Sequence, residues 1–210
     1  QMGHLWRTTG DISAIFDGIE DHGTYKTLGV LQIIDLQDTL RRYAGPDGWN
    51  DPDMLQVGNG MSESQDRAHF TMWCMLAAPL MAGNDLRTMS AATIEILMNK
   101  EVIAIDQDPL GIQGFPYAKE GTVHTWLKPL SGGRWAVCFL NRGTQTVPLE
   151  IDWKKMVVKD TLSGLELDPQ ANTYAVRDVW KKKDMGTARG KMKAPLPGHD
   201  VFCVILTPVN

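Results

Sequence analysis

The chain has 210 residues, 25 acidic against 21 basic side chains, a formal net charge of -4 and 43% apolar residues. This length holds one large or two modest domains with core enough to stand without disulfide staples. The mild acidic excess without a basic cluster excludes a protein that neutralises nucleic-acid phosphates, and no apolar run approaches the ~20 residues that cross a bilayer, so neither nucleic acid nor membrane is an expected partner.

In chain order, the apolar residues Ile33, Leu36, Leu40 and Tyr43 fall at three- and four-residue steps and predict an amphipathic helix over 28–43, stopped by Gly45-Pro46-Asp47-Gly48. A second helix is predicted from Ser62, with Gln65 completing a capping box, through Phe70, Trp73 and Leu76 to Ala78 before Pro79. A third is capped by Ser90 and carries Ile94, Leu97 and Met98. Short apolar pieces at 53–57 and 78–82 are each long enough for one buried strand, and this alternation is the pattern of a parallel α/β sheet or barrel.

The character changes near Gly111 to Phe115, after which short β-branched and aromatic runs are divided by turn residues. Strands are predicted at 122–127, 135–140, 146–151, 174–180 and 201–206, with turns at Ser131-Gly132-Gly133, Asn141-Arg142-Gly143, Ser163-Gly164 and Pro197-Gly198. In the third run Val147, Leu149 and Ile151 alternate with polar neighbours, and Pro148 marks it as an edge strand. An antiparallel sandwich is expected, with Lys181-Lys182-Lys183 as a solvated turn. The expected domains are 1–114 and 115–210.

Cys74, Cys138 and Cys203 sit in apolar settings and read as buried free thiols. No Asn-x-Ser/Thr sequon occurs. The five histidines show no ligand spacing, so no metal and no cofactor is expected. Gln1-Met2-Gly3-His4 has neither the basic nor the apolar region of a signal peptide. Nothing in the sequence sets an oligomeric state.

Three predicted strands end in polar groups: Arg7 to Asp11 around Gly10, Asp51 and Asp53 around Pro52, and Asn84-Asp85-Leu86-Arg87. Reactive groups collect at the carboxyl ends of parallel strands, so three such ends in register suggest one shared pocket. Carboxylates beside tryptophan and methionine, without histidine or cysteine, suit a sugar: apolar groups pack on its faces, and Asp binds hydroxyls or transfers protons.

Trp6-Arg7-Thr8-Thr9-Gly10-Asp11-Ile12, Gly48-Trp49-Asn50-Asp51-Pro52-Asp53-Met54-Leu55 and Asp106-Gln107-Asp108-Pro109-Leu110-Gly111 resemble the C-terminal half of glycoside hydrolase family 27, the α-galactosidases and α-N-acetylgalactosaminidases. Val176 to Trp180 and Lys183 to Gly186 resemble that family's C-terminal β domain. The resemblance implies the last three strand-helix units, strands six to eight, of a (β/α)8 barrel over 1–114, followed by an antiparallel β-sandwich over 115–210. It implies a retaining, exo-acting enzyme on terminal α-D-galactosides. Asp11 matches the general acid/base, Arg7, Asp53 and Met54 the substrate-lining residues, and Trp49, Asn50 and Asp51 the residues shaping the loop. Asp51 and Asp85 are expected to be structural hydrogen bonders.

To donate a proton at working pH, Asp11 must hold it above the ~3.9 of a free Asp, which requires a partly desolvated site beside a negative charge. The family's nucleophile follows a Lys-x-Asp string on a barrel strand earlier than the one ending at Arg7, and no such string precedes Arg7 here, so the partner implied is an N-terminal barrel half, and Gln1-Met2 reads as an artificial or processed start. Galactose, N-acetylgalactosamine and β-L-arabinopyranose specificities share these strings. The alternative reading is a non-catalytic carbohydrate-binding or structural sandwich module. For the whole protein the resemblance favours export, with the free thiols and missing sequons leaning to a bacterial secreted or periplasmic protein.

Overall fold

A computed structural model describes residues 3–209; Gln1 and Met2, read above as a processed start, lie outside the described residues. The first half runs β1 (Leu5–Arg7), β2 (Ile19–Asp21), β3 (Lys26–Leu28), α1 (Val30–Gln37), β4 (Trp49–Asp51), α2 (Glu63–Leu76), α3 (Ala91–Leu97) and α4 (Lys100–Asp106). β1 and β4 pair in parallel, Leu5, Trp6 and Arg7 opposite Trp49, Asn50 and Asp51. The next neighbour is reduced to a single parallel bridge between Leu55 and Ala82. The strands expected at 53–57 and 78–82 are therefore not ladders, and the ladder lies earlier, at 49–51. Pro52 and Pro79 have no N–H to donate, and Asp53 takes φ 91°, which breaks extended chain.

The predicted helix over 28–43 is two turns of α1 followed by a 3-10 segment, Asp38–Tyr43. Its buried face is Val30, Leu31, Ile33, Ile34 and Gln37, while Leu36 and Tyr43 are exposed. α2 is the central helix. Ser62 Oγ accepts from Gln65 N at 3.3 Å and Gln65 Oε1 from Ser62 N at 2.9 Å, closing the predicted capping box. At its other end Ala77 turns left-handed, and the fully buried Lys128 donates to the Cys74 carbonyl at 2.8 Å, placing a cation where the helix dipole is negative. Ser90 caps α3 as expected, but its buried residues are Thr93 and Ile96, and Ile94 and Met98 are exposed. The chain breaks at Asn99, whose side chain caps α4. The predicted third helix is thus followed by a separate one, α4.

The second half adds β5 (Phe115–Glu120), β6 (Val123–Leu130), β7 (Arg134–Asn141), β8 (Val147–Asp152), β9 (Val158–Lys159), β10 (Glu166–Leu167), β11 (Tyr174–Asp178), β12 (Lys183–Thr187), β13 (Lys191–Leu196) and β14 (Val201–Pro208). Six strands form an antiparallel sheet in the order β12-β11-β14-β7-β6-β5, and β8 pairs with β13 as a second layer. Both faces of the large sheet are covered. On β7, Trp135, Val137 and Phe139 pack with Leu149 and Ile151 of the second layer, whereas Ala136, Cys138 and Leu140 pack with Met72 and Cys74 of α2. Two buried faces explain why 135–140 and 201–206 read as unbroken apolar runs. The predicted alternation at 147–151 is present, and Pro148 lies opposite Pro195 in the two-stranded layer, where neither removes a needed donor. β5, β12 and β13 had not been read as strands; each carries proline, glycine or lysine and lies at an edge.

Four arginine-carboxylate pairs join the halves: Arg41–Asp160, Arg67–Asp200, Arg142–Asp35 and Arg177–Glu101. Gly114 is the junction. Its N–H donates to Met75 O at 2.8 Å, and a Cβ there would stand 2.9 Å from that oxygen. All three cysteines are free and buried, as the sequence suggested.

Candidate active site

The site lies at the carboxyl ends of β1 and β4. Arg7, the last residue of β1, places Nη2 3.0 Å from Asp11 Oδ1 and 2.8 Å from Asp53 Oδ2, so one guanidinium nitrogen serves both carboxylates. Asp53 is buried and its carboxylate is fully used. Oδ2 also accepts from Ile12 N at 2.9 Å, and Oδ1 accepts from Met54 N at 2.7 Å. Its left-handed backbone is held from both sides: Asp53 N donates to Asp51 Oδ1 at 2.9 Å, and Trp73 Nε1 of α2 donates to Asp53 O at 2.8 Å. Thr8 ties the strand ends together, its N and Oγ1 both 2.9 Å from Asp51 O, and Gln37 of α1 donates to Thr8 Oγ1 at 2.6 Å.

Asp11 and Asp53 differ sharply in environment. The Asp53 side chain is 9% exposed and the Asp11 side chain 72%. The desolvated pocket with a neighbouring negative charge, expected around Asp11, is not built by the described residues: Asp11 faces the Arg7 cation and open solvent. Met54 is 39% exposed and packs over Gly83, where a Cβ would come within 2.6 Å of its sulfur.

Arg7, Asp11, Asp53 and Met54 thus come together. Trp49, Asn50 and Asp51 form strand β4 instead of a loop, and only Asp51 bonds into the turn at Asp53. Trp49 lies at the other end of β4, against Pro46 and Gly111, where a Cβ on Gly111 would meet its ring at 2.8 Å. Asn50 is buried, accepting from Trp6 Nε1 at 3.0 Å and donating to Leu40 O and Gln113 Oε1. The third polar strand end does not join the cluster. Asp85 chelates Arg87 at 2.9 and 2.7 Å, and both are exposed, so the single shared pocket narrows to two strand ends. The support that Trp73 gives Asp53 has one signal in the sequence: an indole on the buried face of a helix needs a partner for its N–H. Among the described residues no cluster of three or more His, Cys, Asp or Glu is placed to hold a metal.

Parallel strands with charged carboxyl ends, packed through a helix on an antiparallel sandwich, are the arrangement that two family models match. The family described as alpha galactosidase A matches residues 1–108, and the alpha galactosidase C-terminal beta sandwich domain matches residues 120–206. The chain belongs to glycoside hydrolase family 27. It is 44% identical over 207 residues to alpha-galactosidase A of Cellvibrio japonicus, covering 99% of this chain and 51% of that protein. It is 38% identical over 215 residues to the alpha-N-acetylgalactosaminidase of Gallus gallus, covering 99% of this chain and 46% of that one. The crystal structure of alpha-galactosidase I from Mortierella vinacea superposes with a TM-score of 0.83 at 28% identity, over 98% of this chain and 53% of that one. The chain spans about half the length of the curated relatives it matches.

Proposed function

We propose that the chain is the C-terminal portion of a retaining exo-glycosidase that removes terminal α-D-galactosyl residues, carrying the general acid/base and part of the sugar pocket. The observation that supports this most is the single Arg7 nitrogen shared by Asp11 and Asp53 at adjacent parallel strand ends. An exposed carboxylate is open to an incoming group, and a buried one with both its oxygens engaged is fit to hold position. Asp11 protonates the departing glycosidic oxygen as a second carboxylate attacks the anomeric carbon, then takes a proton from the water that releases the covalent glycosyl intermediate. The attacking carboxylate comes from an N-terminal barrel half outside this chain, and closure of the barrel removes the water now around Asp11. Arg7, with its fixed fork of donors, and Asp53 with Met54 orient the sugar.

The test joins the chain to the N-terminal half of the Cellvibrio japonicus relative. Asp11→Ala is expected to lower turnover of galactosides with poor leaving groups by roughly 100-fold or more, and with a nitrophenyl galactoside, whose leaving group needs no acid, azide is expected to restore turnover as galactosyl azide of unchanged anomeric configuration. Unaltered turnover in that variant removes Asp11 from the reaction.

A further inference from the structure

β14 is the last strand of the chain, yet it lies inside the large sheet, between β11 and β7. Its Cys203 stands opposite Cys138 of β7. Two backbone bonds fix the kind of pairing. Asn141 N donates to the directly opposite Asp200 O at 3.0 Å, and hydrogen-bonded and non-hydrogen-bonded pairs alternate along an antiparallel ladder, so three steps on Cys138 and Cys203 form a non-hydrogen-bonded pair. The other edge agrees: Cys203 O accepts from Val179 N at 3.2 Å, on the β11 side, so its peptide groups point away from β7. In a pair of this kind the Cα atoms stand about 4.5 Å apart with the side chains drawn together, and a disulfide spans roughly 4.4–6.8 Å. Both thiols point to the α2 face, fully buried in one cluster with Trp126 and Met72. Cys138 Sγ lies 4.0 Å from Met72 Sδ, a thioether that has no thiol to exchange.

We propose that Cys138 and Cys203 are a cross-strand oxidation site, closed to a disulfide by a small-molecule disulfide such as oxidised glutathione while the sheet assembles, and shut off from exchange once it has. The thiolate of one cysteine attacks a sulfur of the donor, forming a mixed disulfide and releasing one donor thiol; the second cysteine's thiolate attacks the protein sulfur of that mixed disulfide, forming the Cys138–Cys203 bond and releasing the second donor thiol. The two cysteine protons leave on the two donor thiols, so the cysteines lose two electrons and the donor gains them. In the folded chain the route is blocked twice: neither sulfur meets solvent, and burial, with the adjacent Cys203 thiol adding to it, holds the Cys138 thiol well above the ordinary thiol range, which removes the nucleophile. The redox state present at folding is thus retained. The bond fastens the C-terminal strand into the middle of the sheet across a long excursion of chain, the arrangement in which a crosslink restricts the unfolded chain most.

Cell-free synthesis of the 210-residue chain with oxidised glutathione, and separately with reductant, tests it, each soluble product being alkylated in urea and its peptides mapped by mass. The oxidised product is expected to carry a Cys138–Cys203 link with Cys74 alkylated, the link persisting in Cys74→Ala, and to melt about 5 °C or more above the reduced one. That difference is expected to vanish in Cys138→Ala. Oxidised glutathione added to the chain already folded in reductant is expected to form the link at least tenfold more slowly than during synthesis. Alkylation of both Cys138 and Cys203 after oxidising synthesis, or a link from Cys74 to either, overturns the site and leaves the three thiols as packing groups. Equally fast linkage of the folded chain overturns its closure by burial.

Discussion

Asp53 shows how much one side chain holds at this site. It receives Ile12 N, Met54 N and the Arg7 guanidinium while its own backbone sits at φ 91°. Asp53→Ala orphans two backbone donors, leaves Arg7 with Asp11 as its one carboxylate partner, and puts a less tolerant residue at a left-handed position. The expected loss is about 2–4 kcal/mol, read as a lower urea midpoint, with Asp53→Asn milder because one acceptor remains. Two buried titrating residues of α2 give pH signatures of opposite sign. His69 accepts from Gln56 N at 2.9 Å, and burial pushes its pKa down to about 3 from an ordinary 6.5. The folded chain refuses a proton that the unfolded chain takes, so this contribution is full above pH 6.5 and is lost as pH falls. Asp66 is pushed up to about 6 from 3.8, chiefly by burial, so its contribution is full below pH 4 and is lost as pH rises to 6. Between pH 4 and 6, His69→Gln is expected to lower the slope of stability against pH and Asp66→Asn to raise it, each by up to about 1.4 kcal/mol per pH unit, measured by denaturation at stepped pH. The gathering of Arg7, Asp11, Asp53 and Met54 was legible, because they lie in distinctive strings at strand ends. Their unequal exposure was not, since it depends on which neighbours the chain supplies.

At the scale of elements, local chemistry was read well and faces were read poorly. Ser62 with Gln65, and Ser90, cap helices where the sequence placed them, because capping is decided by atoms three residues apart. Leu36, Tyr43, Ile94 and Met98 fit helical spacing and are nevertheless exposed, because the buried face depends on distant partners. The edge strands β5, β12 and β13 lie outside the predicted strands because edges need no apolar alternation on both sides; β5 and β12 form hairpins with their chain neighbours β6 and β11, and β13 pairs far back along the chain, with β8. Ser62→Ala removes an N-cap at the start of the central helix and is expected to cost about 1 kcal/mol, seen as a drop in thermal midpoint. Gly114 is the sharper case. Alanine there presses a methyl against the Met75 carbonyl at 2.9 Å and Leu127 O at 3.1 Å, where both halves meet, and a loss larger than that of Ser62→Ala is expected in the same measurement.

The whole molecule is a sandwich with buried faces, welded through α2 and four arginine pairs to a short piece of parallel barrel. That piece presents Leu5, Trp6, Met54 and Met81 to solvent. Those exposed side chains and the open surroundings of Asp11 have one physical origin: among the described residues β1 pairs on one edge alone, with β4, and Ala82 with Leu55 alone, so the parallel strands do not close on themselves. The barrel-plus-sandwich division was legible because the two halves obey different periodicities, three to four residues in one and two in the other. The most direct measurement is hydrolysis of a nitrophenyl α-D-galactoside by the purified 210-residue chain, alone and joined to the N-terminal half of the Cellvibrio japonicus relative. The expected result is no turnover by the chain alone and turnover with retained configuration by the joined protein. Hydrolysis by the chain alone that disappears in Asp11→Asn would contradict the division of the catalytic carboxylates between two halves.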